Sequence, residues 1–107
     1  MSLFSFHGRG TLNGVIPHPA LVRLMDAAAA GADVDLQRSA HTGALTDSSY
    51  VQFMGPEGVA CVDMGFPVRY SHQALEVVDP TDVSGLVTLL DAALDRITPD
   101  LGLIRAP

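Results

Sequence analysis

A chain of 107 residues can bury one core but is too short for two, and 48% hydrophobic against 17% charged residues is too apolar for disorder. A net charge of -6, with six Lys+Arg that do not cluster, offers no basic stripe for a phosphate backbone and excludes nucleic acid as a partner. No apolar run reaches the roughly 18 residues that a bilayer span requires, so a membrane is excluded as well.

In chain order, Met1-Ser2-Leu3 lacks the charged start and long apolar stretch of a secretion signal and is read as a leader outside the fold. Residues 11–16 read as a short strand, which Pro17-His18-Pro19 ends because proline fixes φ and extends the residue before it. Pro19 suits a first helical turn. The spacing then predicts a helix over 20–30 with Leu21, Leu24, Met25 and Ala28 on one face, stopped by Gly31. Val34, Leu36 and Arg38 alternate as a strand. Residues 41–47 carry turn chemistry, and Thr46 or Asp47 is placed to cap a short helix over 48–54 with Tyr50, Val51 and Met54 inward. Gly55-Pro56-Glu57-Gly58 is a turn.

Residues 59–64 form a near-continuous apolar run, the pattern of a central strand buried on both faces. Cys61 inside it reads as a small buried hydrophobe. A single cysteine allows no disulfide within the chain, which suits a reducing, cytoplasmic compartment. Residues 66–70 lead out into a loop. The last helix has the clearest start: Asp79 as N-cap, Pro80 at its first position and Asp82 in the first turn. Val83, Leu86, Val87, Leu90, Ala93, Leu94 and Ile97 make a wide apolar stripe, and Thr98-Pro99 ends it. This order implies an α/β fold over residues 1–107: one domain with a three- to four-stranded mixed sheet and helices packed on it. So much apolar helix on so thin a sheet points to a homo-oligomer or to a missing covering layer.

Of the four histidines, His7 and His18 read as surface or capping residues, and His41 sits in a polar loop. His72 stands apart because it follows a strand, and sites in open α/β sheets collect at the carboxyl ends of strands. Asp63 on the apolar run reads as a paired or capping acid. The chain has no HExxH, no cysteine pair and no glycine-rich phosphate cradle. It also offers no recognisable carboxylate pair for glycoside hydrolysis.

Gly43-Ala44-Leu45-Thr46-Asp47-Ser48, then Gly58-Val59-Ala60, then Pro67-Val68-Arg69-Tyr70-Ser71-His72, and finally Glu76-Val77-Val78-Asp79 with Asp82, resemble the glutamyl and deblocking aminopeptidase family of dinuclear metallopeptidases. The likeness runs over about residues 8–97 and is most specific from Arg69 to Glu76. It implies the C-terminal part of a catalytic domain that removes N-terminal residues from peptides with zinc or cobalt, in large cytoplasmic homo-oligomers. By the same resemblance His72 is the last metal ligand, and Thr46 and Asp47 position substrate rather than ligate metal. The family's GGTDA stands here as Ala44-Leu45-Thr46-Asp47-Ser48, and Gln73-Ala74-Leu75 follows His72 where the family has Ser-Pro plus one. The other ligands and the general base of the family lie in an upstream segment, so no catalytic residue is assigned in this sequence. The expectation is a peptidase portion inactive alone. The alternatives are a noncatalytic assembly module of that fold, or an enzyme formed when self-association gathers several copies of His72, His41 and Asp47.

Overall fold

The computed structural model describes the backbone of residues 2–7, 14–42 and 46–103, and the side chains of 14–39 and 46–103. The elements run β1 (Ser2–His7), α1 (Pro19–Gly31), β2 (Gln37–Thr42), α2 (Ser48–Val51), β3 (Asp63–Gly65), β4 (Val68–Arg69), β5 (Val77–Val78) and α3 (Pro80–Asp95). The α/β class holds. Three strands form one sheet in the order β2-β1-β3, and β4 pairs with β5 as a separate two-stranded ribbon.

Ser2 and Leu3, set aside as part of a leader, begin β1, the central strand of the sheet. β1 pairs parallel with β2 from Ser2↔Gln37 to His7↔Thr42 and antiparallel with β3 from Ser2↔Gly65 to Phe4↔Asp63. The parallel pair needs a crossover, and α1 supplies it. The strand expected over 11–16 falls partly outside the described residues, and residues 14–16 are not extended in any sheet. The strand expected over 59–64 is also corrected. Only Asp63–Gly65 pairs, at the sheet edge rather than its centre, and Val59 is exposed.

α1 begins as its sequence requires. His18 is its N-cap, Pro19 follows, and Ala20, Leu24, Met25, Ala28 and Ala29 are buried. Asp79 caps α3 by accepting from the Thr81 N–H at 2.9 Å, with Pro80 and Asp82 behind it. This bond satisfies an amide that the first turn leaves without an intrahelical partner.

The core is built between the two long helices. Met25, Ala28 and Ala29 of α1 meet Leu89 and Ala93 of α3, with Val22, Val34, Leu36, Val62, Met64, Leu86 and Ala92 packed around them. Alanines on both helices keep the axes close, while Leu36, Val62 and Met64 bring the sheet side to the same cluster. The stripe expected on α3 is displaced by this arrangement. Leu89, absent from that stripe, is fully buried, whereas Val87, Leu90, Leu94 and Ile97 are 64%, 47%, 58% and 51% exposed. α3 is apolar over more of its circumference than α1 and the sheet can cover. The inward face expected of the short helix is likewise reversed. Ser49 is buried, and Tyr50, Val51 and Met54 are exposed.

The turn at 55–58 depends on backbone handedness. Gly55 and Gly58 both have φ +72, and a Cβ at Gly58 would lie 2.7 Å from the Gln52 carbonyl oxygen. That oxygen already accepts the Val59 N–H at 3.1 Å. Both the left-handed φ and the close approach therefore require glycine at 58.

Leu89→Ala should lower the unfolding free energy by about 3 kcal/mol, because it opens a void among side chains that cannot all collapse. Leu94→Ala, on the outer face, should change it by no more than about 0.5 kcal/mol. Urea midpoints of the two variants test this, and equal losses would contradict the assigned faces.

Candidate functional site

His72 lies in the turn that joins β4 to β5, so it follows the short ribbon and not a strand of the three-stranded sheet. β4 and β5 pair at Val68↔Val78 and Arg69↔Val77, which brings the ends of the turn together. The Gln73 N–H donates to the Tyr70 carbonyl at 3.2 Å. Tyr70 and His72 adopt φ 62 and φ 63, left-handed values that side-chain-bearing residues seldom take. The His72 N–H donates to Glu76 Oε1 at 2.7 Å, and both residues are exposed.

Thr46 and Asp47 open α2. The Thr46 hydroxyl donates to Asp63 Oδ2 at 2.6 Å, and the Thr46 N–H donates to Ser49 Oγ at 3.0 Å. Asp63 is thus a paired acid at the start of β3, and Thr46 ties α2 to the sheet edge. Asp47 occupies the N-cap of α2 without a side-chain bond, and its carbonyl accepts from the Tyr50 and Val51 amides. The expected side-chain cap at 46 or 47 is replaced by the reverse bond from the Thr46 amide to Ser49. Among the described residues, no hydrogen bond or ion pair joins His72 to Thr46 or Asp47.

Two side chains carry more of this region than their sequence context suggests. Gln52 accepts the Ile16 N–H at 3.0 Å and donates to the Gly14 and Ser49 carbonyls at 2.7 and 3.0 Å. His18 is buried, its Nδ1 accepts from the Ala20 N–H at 3.1 Å, and its Nε2 lies 2.7 Å from the Leu103 carbonyl oxygen. An Nδ1 that accepts leaves the proton on Nε2, which donates to Leu103. The backbone N–H of His18 donates to the Cys61 carbonyl at 2.9 Å. His18 is therefore a capping residue, as read from sequence, but an interior one. Gln52 left no signal in the sequence because its partners are backbone atoms, two of them, at Gly14 and Ile16, distant along the chain. The side chains of His7 and His41 lie outside the described residues.

Cys61 is half-buried, and burial, followed by the negative charge of Asp63, pushes its thiol above the ordinary 9.0. A thiol held protonated this way is a poor nucleophile, as its apolar neighbours suggested.

Among the described residues, no three His, Cys, Asp or Glu side chains converge closely enough to hold a metal ion. His72 is one imidazole where zinc takes three or four donors. The described donor set does not fit a complete metal centre, and no step through a metal follows from it. No helix of the described residues is long and apolar enough to cross a membrane.

Residues 9–89 match the M42 glutamyl aminopeptidase family, a stretch that includes Thr46, Asp47, His72 and Glu76. SgcX of Escherichia coli (strain K12), which bears an aminopeptidase name, is 33% identical over 92 residues, covering 86% of this chain and 24% of the relative. Lysyl aminopeptidase of Pyrococcus furiosus is 29% identical over 94 residues, covering 86% of this chain and 27% of the relative. The chain therefore spans about a quarter of the length of these curated relatives.

Iodoacetamide at pH 8 should alkylate Cys61 more slowly in the folded chain than in guanidinium. A raised thiol pKa contributes stability that is complete below the unfolded value and is lost as pH rises through the higher folded value. The two alkylation rates should approach each other only as pH rises through the folded thiol's higher range, and faster alkylation of the folded chain at pH 8 would contradict the assigned environment.

Proposed function

This chain belongs to the M42 glutamyl aminopeptidase family, and from that premise we propose that it is the His72-bearing C-terminal portion of a metal-dependent aminopeptidase domain. The observation that carries the reading is the family match across residues 9–89, which takes in the whole turn from Arg69 to Glu76. In this reading residues 1–107 act as one partial catalytic domain. His72 supplies one donor to a zinc or cobalt centre, and the remaining donors and the general base come from the part of such a domain that the match does not cover.

Thr46 and Asp47 position substrate in the same reading. The Thr46 hydroxyl is held on Asp63, so the segment preceding α2 is fixed to the sheet edge. The substrate class is the N-terminal residue of peptides, and the setting is cytoplasmic. Alone, the chain has too few donors to work. The purified 107 residues should hydrolyse leucyl- and glutamyl-p-nitroanilide no faster than buffer with added Zn2+ or Co2+. Chelator-sensitive turnover by the chain alone would overturn the inactive-alone reading.

A second reading, a noncatalytic homo-oligomeric assembly module, is favoured by the outer face of α3. Val87, Leu90 and Leu94 are all at least 47% exposed, and their spacing sets them on one side of the helix. This reading predicts self-association at micromolar concentration in sedimentation velocity, with Leu94→Lys shifting the chain to monomer. A wild-type monomer under those conditions would remove it.

A further inference from the structure

We propose that Glu76 is a positioning residue for His72: its carboxylate binds the His72 amide and fixes the left-handed backbone that carries the imidazole. An unrestrained histidine spends only a small fraction of its time at positive φ, and one left-handed residue in the same turn, Tyr70, already precedes it. One main-chain bond, from the Gln73 N–H to the Tyr70 carbonyl at 3.2 Å, closes a four-residue turn in which His72 is the third residue. His72 has no main-chain acceptor among the described residues, and its N–H goes instead to Glu76 Oε1 at 2.7 Å.

A carboxylate four residues on can reach back to the amide because the left-handed residue reverses the chain between them. Glu76 is also the residue directly before β5 (Val77–Val78), so its backbone is held by the ribbon pairing while its side chain reaches into the turn. It thus connects the most irregular part of the turn to its most regular part. The purpose of the lock, aiming an imidazole donor, rests on the reading of His72 given above, whereas the lock itself does not.

The test uses the isotope-labelled 107-residue chain and its Glu76→Ala and Glu76→Gln variants. Three quantities are followed at His72: the amide shift, amide hydrogen exchange, and the coupling between amide and α protons. Wild type should show a downfield, protected amide. In Glu76→Ala, exchange at His72 should be roughly tenfold faster and the coupling should move to a conformationally averaged value. Glu76→Gln keeps an acceptor oxygen and should retain the coupling with intermediate exchange. An unchanged His72 amide in Glu76→Ala, or equal loss in both variants, would overturn the proposal. Zn2+ titration separates this from the metal reading. If the wild-type His72 ring resonances ignore Zn2+ while the amide pattern holds, the lock stands by itself, since one imidazole is too few donors for the chain alone. If the ring responds in wild type and Glu76→Gln but about tenfold more weakly in Glu76→Ala, both stand. Neither substitution touches the buried cluster, and circular dichroism confirms that the variants are folded.

Discussion

The contact between α1 and α3 is the constraint on which the remaining geometry depends. Ala28 and Ala29 face Leu89 and Ala93, and small side chains at that seam allow a pair of helices to share one side of a thin sheet. α1 is the crossover of the parallel pair β1 and β2, so its position is already tied to the sheet. α3 has no strand of that sheet adjoining it in sequence. It follows directly on β5 through the Asp79 cap. The ribbon that carries His72 is thus joined to the body of the protein at both ends, to β3 through Phe66 and Pro67 and to α3 through Asp79.

The candidate site residues are held by polar contacts rather than by burial. Thr46 is fixed by Asp63 and Ser49, and His72 by Glu76, each through bonds of 2.6 to 3.0 Å. His18 and Gln52 perform the same service for the loops. Each binds backbone groups from segments far apart in sequence, satisfying amides and carbonyls that no helix or sheet ladder reaches. The small hydrophobic cluster could not order these segments alone.

The parts legible in the sequence were those encoded locally. The N-caps, the prolines behind them, the stop at Gly31 and the turn at 55–58 each depend on residues within a few positions of one another. The misread parts depend on partners elsewhere. β1 carries Leu3, Phe4 and Phe6 in a segment that resembles a leader until strands are paired on both its edges. The apolar run at 59–64 could not reveal that only its last residues would find a partner. On α3, apolar residues occur on so many sides that periodicity could not choose between Leu89 and Leu90 as the inward one, because the choice belongs to α1. The family and the special position of His72 were legible only through resemblance over the Arg69-to-Glu76 stretch. No residue propensity announced that Tyr70 and His72 would adopt positive φ, since neither is glycine.

The loop at 55–58 carries a further consequence. Its two outer positions are governed by chirality and its two inner ones, Pro56 and Glu57, by little more than contact with water. The Gln52 carbonyl sits where a methyl group on residue 58 would go, and the same glutamine fastens Gly14 and Ile16 by its side chain. An inherited change at 58 would therefore be felt forty residues upstream, in the approach to α1, whereas variation at 56 and 57 would pass almost unnoticed. Drift across related chains should be permissive in the middle of this loop and strict at its final glycine.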